Sequence, residues 1–555
     1  MNRKNENKRG ALRKSCALYA TMLVVWVVLT GLLWWKYSEA FSIYAGAGRY
    51  AVVVFLVLNA IFISYFWLNG AKDFIYVTWY YVFKRGIENK FRPVQGVNVD
   101  EATDKVVMIY CTCNDFDGES LKKCLAQEYP YADAVILDDS YSPEYIKAVD
   151  DFAAEYGVKV VRRENRKGFK AGNINNYLQS EEVKRLGYKY FVVLDSDEII
   201  PKDFIRKCLK YFAYYSNVGI VQASHVATRN RNFFMKLFNI GVDSHWNTYQ
   251  SMKHLYGFSS LLGHGAMVSM ECYRAAGGFP EVVAEDLCLS IEARNCGYTV
   301  AYAPDIICEE EYPVDYVAFK KRHSKWTQGN LEFIKKYTGK IIASKMKWYE
   351  KLDIMLFTYN LPLTAVFALF IVINVIILPV VGVDAGSVYP VWMIIPTAVF
   401  FIAPMLNDVF FWLGRLNFFR FVLYCACVVL LYGSMFFITF SSSLMGLFGK
   451  KAKFVVTPKQ SGKMTFKKAI SIQYKEIIFS TALIVIAGLC SWYGSYASTG
   501  YGDVWAGIFS VALMAGTGYL SVFLLFLSNI RYDEERYRRD DEKTIKLTLK
   551  RNGLL

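Results

Sequence analysis

Two aspartates separated by one residue follow an apolar run and could hold a divalent cation. Asp195 and Asp197 come directly after Phe-Val-Val-Leu, which is typical of a buried strand that ends in a loop. Mg²⁺ and Mn²⁺ both accept carboxylate oxygens, and such an ion can neutralise a diphosphate. The ligand types do not distinguish the two metals. The structural alternative is a solvated loop that carries two acids and binds no ion.

A second acidic pair and a cationic, aromatic segment follow later in the chain. Asp286, which comes after Glu285, could act as a general base, or could cap the helix that the next residues predict. The segment Arg322-His-Ser-Lys325-Trp326 offers positive charge for a phosphate and a flat indole face for a sugar. Residues 316–336 also alternate apolar and cationic residues at helical spacing, as an interfacial helix does. Together the two groups favour a metal-dependent transfer from a nucleotide-sugar beside a membrane.

The composition predicts a soluble domain inserted between membrane spans. The 555-residue chain is 54% hydrophobic and 20% charged, with a formal net charge of +15. Cytoplasmic flanks of spans explain this charge better than nucleic acid does, because no basic cluster is interleaved with a nucleic-acid-reading motif. The 12 cysteines form no Cys-x-x-Cys pairs and the five histidines have no metal-ligand spacing, so we expect no zinc site.

Apolar runs divide the chain into seven parts. We expect both ends of the chain to lie in the cytosol. One pair of spans begins near residue 17 and another near residue 476, and a cytosolic domain followed by further spans lies between the two pairs. The predicted parts are 1–16, a cytosolic segment; 17–70, two spans; 71–345, the cytosolic domain with interfacial helices; 346–449, two spans plus an interfacial or re-entrant helix; 450–475, a loop; 476–530, two spans; and 531–555, a cytosolic tail.

The parity of the crossings decides which apolar runs cross the membrane. The Lys-rich segment 450–475 should face the cytosol, whereas the loops 381–388 and 495–502 carry no Lys or Arg and suit the outside. An even number of crossings must therefore precede residue 450, although three apolar runs lie there (354–380, 389–406 and 419–440). We expect 419–449 to lie along the interface or to re-enter, which gives about six spans. A seventh crossing would instead place 450–475 outside.

Residues 100–345 alternate short apolar strands with amphipathic helices, which predicts an α/β layered sheet. The clearest strands are Val106–Tyr110, Ala134–Leu137, Val158–Val161 and Tyr190–Leu194. Ligands of such sheets bind at the carboxyl ends of the strands. Polar residues stand at those ends: Thr112, Asn114, Asp115, Asp138, Asp139, Asp195 and Asp197.

Several short motifs resemble those of the processive family 2 glycosyltransferases, and within them the bacterial cellulose synthase catalytic subunit and (1,3;1,4)-β-glucan synthases. The similar stretches are Cys111–Asp115 (Pro-Thr-Tyr-Asn-Glu in the family), Asp138–Ser140 (Asp-Asp-Gly), Lys170–Asn175 (Lys-Ala-Gly-Asn-Leu-Asn), Asp195–Asp197 (Asp-x-Asp), Ala284–Asp286 (Thr-Glu-Asp) and Phe454–Lys459 (Phe-x-Val-Thr-x-Lys). The last is similar to a gating loop and favours glucan over hyaluronan synthases. The resemblance covers about residues 15–530.

Two stretches depart from the family pattern. Arg322-His-Ser-Lys325-Trp326 stands where the family has Gln-x-x-Arg-Trp, and a lysine lacks the planar fork of arginine. Gly263-His264-Gly265 stands where the family has Cys-Gly-Ser at the acceptor end. Both stretches lie where acceptor register is set, which slightly favours mixed linkage over cellulose.

The resemblance implies a GT-A-type α/β glycosyltransferase domain inserted between transmembrane helices, and it implies roles for individual residues. Uracil and ribose would contact Thr112, Asp115 and Asp139 or Asp138, and the diphosphate would contact Lys170, Arg322 and Lys325. Asp197 would coordinate Mg²⁺ or Mn²⁺ with Asp195 beside it, and Asp286, next to Glu285, would be the base. Trp326, His264 and Gly265 would contact the acceptor, and Phe454, Thr457 and Lys459 would close over the donor.

The implied activity is processive, inverting transfer of glucose from UDP-glucose to a growing β-glucan, either mixed-linkage (1,3;1,4) or cellulose. The enzyme would sit in the plasma membrane with its catalytic domain in the cytosol, pass the polymer through its own spans, and work with possible accessory subunits and no nucleic acid. Three alternatives stay open: a synthase of another β-linked exopolysaccharide (a hyaluronan-like or other heteropolymer or an amino-sugar polymer), a transporter or scaffold with an inactive domain, and a lipid-linked monosaccharide transferase.

Overall fold

The computed structural model describes residues 10–227, 232–360, 364–383, 388–448 and 464–527. The predicted donor-closing residues Phe454, Thr457 and Lys459, and the tail 531–555, lie outside the described residues. An α/β domain stands in the middle of the chain, between two long N-terminal helices and a set of apolar C-terminal helices.

The domain is built on a seven-stranded mixed sheet with the order β3-β2-β1-β4-β6-β5-β7. The pairs β1–β2, β1–β4, β2–β3 and β5–β7 are parallel, and β6 runs antiparallel to β4 and β5. The strands are β1 Val106–Thr112, β2 Ala132–Asp138, β3 Lys159–Val161, β4 Tyr190–Leu194, β5 Val218–Ala227, β6 Ala266–Ser269 and β7 Thr299–Glu310. The predicted α/β sheet and its four clearest strands are therefore confirmed.

Helices cover both faces of the sheet, and for this reason the central strands are apolar on both sides. Alternate residues of β1 enter different cores: Met108 packs in the same cluster as Phe204, and Ile109 packs in the cluster of Ile174. The helices up to β7 are α1 Ala17–Gly46, α2 Tyr50–Val82, α3 Lys84–Asn89, α4 Arg92–Gln95, α5 Gly118–Leu125, α6 Pro143–Tyr156, α7 Phe169–Leu178, α8 Glu181–Leu186, α9 Phe204–Tyr214, α10 Phe233–His245, α11 Ser251–Tyr256, α12 Met270–Ala275 and α13 Glu285–Asn295.

The chain after β7 is helical throughout its described part. A π-helical stretch, Trp246–Gln250, joins α10 to α11, and a second one interrupts the apolar run after α16 at Val372–Ile377. The remaining helices are α14 Tyr316–Ala343, α15 Trp348–Thr358, α16 Thr364–Ile371, α17 Leu378–Val380, α18 Ile394–Trp412 (preceded by a 3₁₀ turn, Val391–Met393), α19 Phe418–Ser434, α20 Phe436–Leu447, α21 Phe466–Thr499 and α22 Trp505–Leu527. Helix α21 begins inside the segment 450–475 that was predicted to be a loop.

Six helices among the described residues are long and apolar enough to cross a membrane: Ala17–Gly46, Tyr50–Val82, Val391–Trp412, Phe418–Gly446, Phe466–Thr499 and Trp505–Leu527. Five of them contain predicted spans. The predicted span 354–380 is not one continuous helix, because α15, α16, the π-helical stretch and α17 divide it. The sixth, Phe418–Gly446, has the length and composition of a span, although we predicted that it lies along the interface.

The divided segment 354–380 still runs antiparallel to α2. Tyr76 of α2 donates a hydrogen bond to Asp353, the rings of Phe66 and Phe367 lie 5.5 Å apart, and Asn374 donates to Asn59 at 2.8 Å. Arg49, just before α2, donates to the carbonyl of Val381. The segment therefore passes along nearly the whole of α2, and its helical irregularities coincide with the buried Asn59–Asn374 contact.

The end of α19 and helix α20 contact α14, which follows the α/β domain. Tyr316 Oη donates to Ser434 Oγ at 2.9 Å, the His323 imidazole and Thr439 Oγ1 are 2.8 Å apart, and Ser324 Oγ and Ser442 Oγ are also 2.8 Å apart. These three contacts follow the same order along α14 and along this segment. The arrangement indicates that residues 434–442 run alongside α14 and do not leave it at a steep angle.

Candidate active site

The Asp115 carboxylate joins the ends of β1 and β4. It accepts hydrogen bonds from Thr112 Oγ1 at 2.9 Å, from the backbone N–H of Cys113 at 2.7 Å, and from Ser196 Oγ at 2.8 Å. The chain leaves β1 toward β2 on one side and reaches β4 on the other, so this is the place where the strand order reverses. A crevice at such a point is the usual ligand site of an open α/β sheet.

Asp138 and Asp139, predicted to contact uracil and ribose, already have cationic partners. Arg162 Nε donates to Asp138 at 2.7 Å, and Arg163 donates to both oxygens of Asp139 at 2.9 and 2.6 Å. Asp138 is also buried, so a nucleoside reaches Asp139 more easily than Asp138. The two arginines follow β3 directly and were missed by the sequence reasoning, although their consecutive positions after a strand were a usable signal.

Lys170 connects the metal-binding candidate Asp195 to the loop before β6. Its ammonium donates to Asp195 Oδ1 and, at 2.7 Å, to the carbonyl oxygen of Gly263. Burial alone would lower the pKa of Lys170, but the carboxylate of Asp195 outweighs it and the pKa is raised. Lys170 is therefore a fixed cation, and the Asp195 side chain remains 40% exposed and accessible to a ligand.

Glu285 and Asp286 occupy the first turn of α13, close to the same loop. The backbone N–H of Leu287 donates to Asp286 Oδ1 at 2.8 Å, and a Cβ atom built on Gly263 would lie 3.5 Å from Asp286 Oδ2. Burial is the largest cause that raises the pKa of both acids, and the pKa of Glu285 reaches about 7. The charge of Lys170 acts on both, so Asp195, Glu285 and Asp286 belong to one site.

The cationic segment of α14 borders this site from the other side. Burial lowers the pKa of Lys325, and the negative charges of Glu285 and Asp195 act in the opposite direction. Arg322 is half-buried, and its guanidinium lies 4.5 Å from the centre of the Trp326 ring. Its buried Nε has no hydrogen-bond partner among the described residues. Burial also lowers the pKa of Arg322, against the charges of Glu310 and Asp197. The Trp326 indole is 45% exposed and offers a stacking face.

His264 sits between two carboxylates. Its Nδ1 bonds to Glu198 and its Nε2 lies 2.9 Å from Glu310, so both ring nitrogens are engaged within the protein. Burial alone would lower the pKa of His264, but these two acids raise it well above its ordinary value. An acceptor hydroxyl would therefore meet the backbone of this loop more readily than the imidazole of His264.

Gly265 is required by the packing beneath the loop. A Cβ atom on it would lie 2.3 Å from His225 Nε2 and 2.5 Å from Glu198 Oε1, and its φ is +57°. His225 in turn bonds to Glu198 at 3.0 Å. Glu198, His225 and Glu310 were missed by the sequence reasoning; the position of Glu198 directly after the two aspartates was the only signal.

Asp195 and Asp197 fit a divalent cation better than the other candidate group does. They provide oxygen ligands on one loop, and the backbone N–H of Glu311 donates to Asp197 Oδ2 at 3.1 Å, which orients that carboxylate. Ligand atoms of Glu198, His225 and Cys308 also lie within 4.8 Å of one another. All three are buried and Glu198 already balances two imidazoles, so this second group has no free face for a nucleotide-bound ion.

Residues 190–447 match the family described as "Glycosyl transferase family group 2". A curated Arabidopsis thaliana protein, "Probable glucomannan 4-beta-mannosyltransferase 15", is 26% identical over 221 residues, which is 38% of this chain and 40% of that protein. The match thus spans about two fifths of the length of that relative. Residues 190–447 are therefore similar to that family, and neither match decides the identity of the sugar.

Among solved structures, the chain matches a mannosyltransferase from Pyrobaculum calidifontis in complex with GDP-Man and Mn2+. It is 18% identical, with a TM-score of 0.42, and the alignment covers 71% of this chain and 100% of that one. S. aureus TarS residues 1–349 in complex with UDP-GlcNAc are 14% identical, with a TM-score of 0.32, over 55% of this chain and 91% of that one. The α/β domain is GT-A-like, and six candidate spans flank it, as the resemblance implied.

Proposed function

We propose that this protein is a processive, inverting β-glycosyltransferase that transfers glucose from UDP-glucose to a growing β-glucan at the cytosolic face of the plasma membrane. The observation that carries the proposal is that Lys170 contacts both Asp195 and the carbonyl of Gly263, while Asp286 lies beside the same glycine. A metal-assisted transferase needs an ion-binding acid, a cation for the leaving diphosphate and one base, and this site offers one of each.

In the proposed reaction Asp286 takes the proton of the acceptor hydroxyl while the oxygen attacks the anomeric carbon. The bond from that carbon to the donor diphosphate breaks in the same step, so the configuration inverts and an α-linked donor gives a β-linked product. A single displacement needs one carboxylate, unlike the paired carboxylates of a glycosidase. The raised pKa of Asp286 suits a group that must accept a proton near neutral pH.

The leaving diphosphate gains negative charge as its bond breaks. Lys170, Lys325 and Arg322 are buried or half-buried cations around the site, and fixed charges in a partly dry site stabilise such a transition state strongly. A bound Mg²⁺ or Mn²⁺ on Asp195 and Asp197 would add Lewis-acid neutralisation of the diphosphate. The exposed indole of Trp326 would stack on the terminal sugar of the acceptor.

A second candidate is transfer of β-linked mannose. It is favoured by the name of the curated relative, a glucomannan 4-β-mannosyltransferase. The same base and cations serve either sugar, because glucose and mannose differ at C2 and not at the reacting anomeric carbon. Mixed-linkage (1,3;1,4)-β-glucan and cellulose both remain as products of the first candidate, and accessory subunits would help the polymer leave the membrane.

One assay separates these candidates. The purified full-length protein is incubated with UDP-glucose, GDP-mannose or UDP-GlcNAc, each with Mg²⁺ or Mn²⁺, and the products are digested with linkage-specific glucanases and mannanases. We expect a long polymer from UDP-glucose alone, and none from the Asp286→Asn variant. A polymer from GDP-mannose alone establishes the second candidate, and no transfer from any donor contradicts both.

A further inference from the structure

Helix α15 presents two buried carboxylates one turn apart to the catalytic domain. Glu350 is 2% exposed and Asp353 is fully buried. Residues three positions apart lie on the same face of a helix, so both acids point into the same region. A buried charge is costly unless it is paired, and the partners of these two acids therefore indicate what α15 holds in place.

Glu350 holds the helix that carries the proposed base. Arg294 of α13 donates from Nε and from Nη2 to the two carboxylate oxygens of Glu350, both at 3.0 Å. A fork of two parallel charge-assisted bonds fixes direction as well as distance. Because Asp286 stands in the first turn of α13 and Arg294 in the last, this contact sets the orientation of the base-bearing helix from its far end.

Asp353 holds the start of the loop that ends at Gly265. It accepts from the backbone N–H of Phe258, and from Lys253 Nζ at 3.1 and 3.2 Å. A Cβ atom on Gly257 would lie 2.4 Å from Asp353 Oδ2, so only glycine permits this approach. Five residues after Phe258 the chain reaches Gly263, whose carbonyl accepts from Lys170.

The two parts held by α15 meet at the proposed base. The backbone N–H of Leu261 donates to Ser290 Oγ at 2.8 Å, and Ser290 Oγ donates to the carbonyl of Asp286 at 2.8 Å. The separation between Asp286 and the Gly263–Gly265 loop therefore depends on how α13 and the loop are each fixed. Both are fixed by the same helix.

Helix α15 is also tied to the spans. Tyr76 of α2 donates to Asp353 at 3.5 Å, and Tyr76 Oη bonds to Tyr19 Oη of α1 at 2.7 Å. From the segment before α1, Lys14 donates to the Gly257 carbonyl at 2.7 Å, and Tyr349 donates to the Lys14 carbonyl at 3.2 Å. The first two apolar helices, the loop and α15 thus form one connected unit.

We propose that Glu350 and Asp353 are positioning residues for the transfer reaction, and that α15 holds the base-bearing helix and the Gly257–Gly265 loop in register and connects both to α1 and α2. The inference rests on the proposed function, in which Asp286 is the base. Neither acid touches the substrate; each acts through a neighbour, Glu350 through Arg294 and Asp353 through the backbone of Phe258. A polymer that is passed into the membrane needs its acceptor end aligned with the spans, and α15 provides that alignment.

Glu350→Gln and Asp353→Asn test the proposal in the full-length protein. Both replacements are nearly isosteric; each removes the charge and turns one acceptor oxygen of the carboxylate into an NH₂ group. Because a displacement of about 1 Å at a reacting centre costs up to about 100-fold, we expect kcat to fall by about 10- to 100-fold. The KM for the nucleotide-sugar should change less than about twofold, since Asp195, Lys170 and Asp115 keep their contacts.

Glu292→Gln is the matched control. Glu292 also lies on α13 and pairs with Lys340 at 2.7 Å, but that lysine side chain is 55% exposed, so the pair contributes little. We expect wild-type kcat from this variant. If Glu350→Gln fails to fold, Arg294→Lys carries the test, because it keeps the charge and loses the fork; kcat should then fall with unchanged KM.

Each outcome decides the proposal. Thermal unfolding and detergent gel filtration give the folded fraction of each variant. An unchanged kcat per folded molecule in Glu350→Gln and Asp353→Asn would show that both acids have only a structural role. A donor KM that rises as much as kcat falls would also overturn the positioning role. A wild-type protein that transfers no sugar from any nucleotide donor contradicts the proposed function instead, so the two failures are distinguishable.

Discussion

The Nζ atom of Lys170 lies 2.7 Å from the carbonyl oxygen of Gly263. The same ammonium contacts Asp195, so one cation joins the carboxyl end of β4 to the loop that borders Asp286. A donor diphosphate bound at Asp195 would therefore meet Lys170 between the metal side and the acceptor side of the site. This is the position where negative charge accumulates when the glycosidic bond to the diphosphate breaks.

Replacing Lys170 by alanine should reduce kcat by about 100- to 1,000-fold, the usual effect of removing one fixed donor from a developing anion. The lost cation also leaves Asp195 and Glu285 without their nearest counter-charge. Steady-state kinetics with the nucleotide-sugar measure the effect. Lys167→Ala is the control and should retain wild-type rates, because Lys167 is exposed and lies just before α7. Equal losses in both variants would argue against a specific role of Lys170.

The rate of transfer should rise with pH on the acidic side of its profile. Asp286 must be ionised to accept a proton, and burial raises its pKa above the ordinary value of an aspartate. The ionised fraction therefore increases as pH rises, and activity is lost as pH falls through the raised pKa of Asp286. A profile of kcat/KM between pH 5 and 9 measures this acidic limb. The limb should persist in Glu285→Gln, and a flat profile in the wild type would contradict the assignment of the base.

The sequence predicts those residues of the site that belong to short motifs. Asp195, Asp197 and Asp286 were identified from local patterns and Lys170 from the family resemblance. The fold brings Asp195, Lys170 and Asp286 together because each stands at a strand end or helix start on one edge of the sheet. The pairing of Asp139 with Arg163 was not predicted, since any exposed acid on the edge could have met either arginine after β3.

The buried network beneath the loop was beyond prediction for a different reason. Glu198 and His264 are 66 positions apart and His225 lies on β5, a strand the sequence reasoning did not identify. Which histidines meet Glu198 depends on the antiparallel insertion of β6 between β4 and β5, and no periodicity in one strand reveals its neighbours. The segment 354–380 was predicted as one continuous span, and its division into short helices was not predicted.

Glu198→Gln should destabilise the protein strongly. Burial alone would raise the pKa of Glu198, but His264 and His225 outweigh it and the pKa is lowered, so the carboxylate is charged against two imidazoles. Removing one partner from a buried charged network costs about 3–5 kcal/mol. The measurement is the midpoint of thermal unfolding in detergent. Glu181→Gln, from an exposed pair with Lys184, should leave the midpoint unchanged; similar midpoints for the two variants would show that the network is not charged.

Transfer should require a divalent cation that binds through Asp197. Chelation by EDTA should abolish activity, and added Mg²⁺ or Mn²⁺ should restore it. In Asp197→Asn the metal concentration for half-maximal rate should increase on the order of 100-fold, because one charged oxygen ligand becomes neutral. The matched control is Asp203→Asn, whose carboxylate pairs with Lys207 at the surface. Full activity in EDTA, or equal metal titrations for the two variants, would exclude the proposed metal site.

The last prediction concerns the side of the membrane that the loop between α18 and α19 faces. Trp412 Nε1 donates to the Ile240 carbonyl of α10 at 2.8 Å, and Asn407 donates to the Ser244 carbonyl of the same helix at 2.9 Å. The end of α18 therefore contacts the catalytic domain. If the domain is cytosolic, this loop is cytosolic too, and the segment 354–380 must supply the outward crossing that brings the chain to the start of α18.

Cysteine labelling in intact cells with a membrane-impermeant maleimide tests this path. The side chains of Leu413 and Tyr501 are 69% and 85% exposed, and they stand in the α18–α19 loop and the α21–α22 loop. We expect Phe418–Gly446 to follow α14 on the cytosolic side. The α18–α19 loop is then cytosolic and the α21–α22 loop is outside, so Leu413→Cys should be protected and Tyr501→Cys should be labelled. Labelling of both positions would make Phe418–Gly446 a true span, whereas protection of both would indicate a seventh crossing. The unmodified chain, whose exposed Cys16 and Cys296 should both face the cytosol, gives the background.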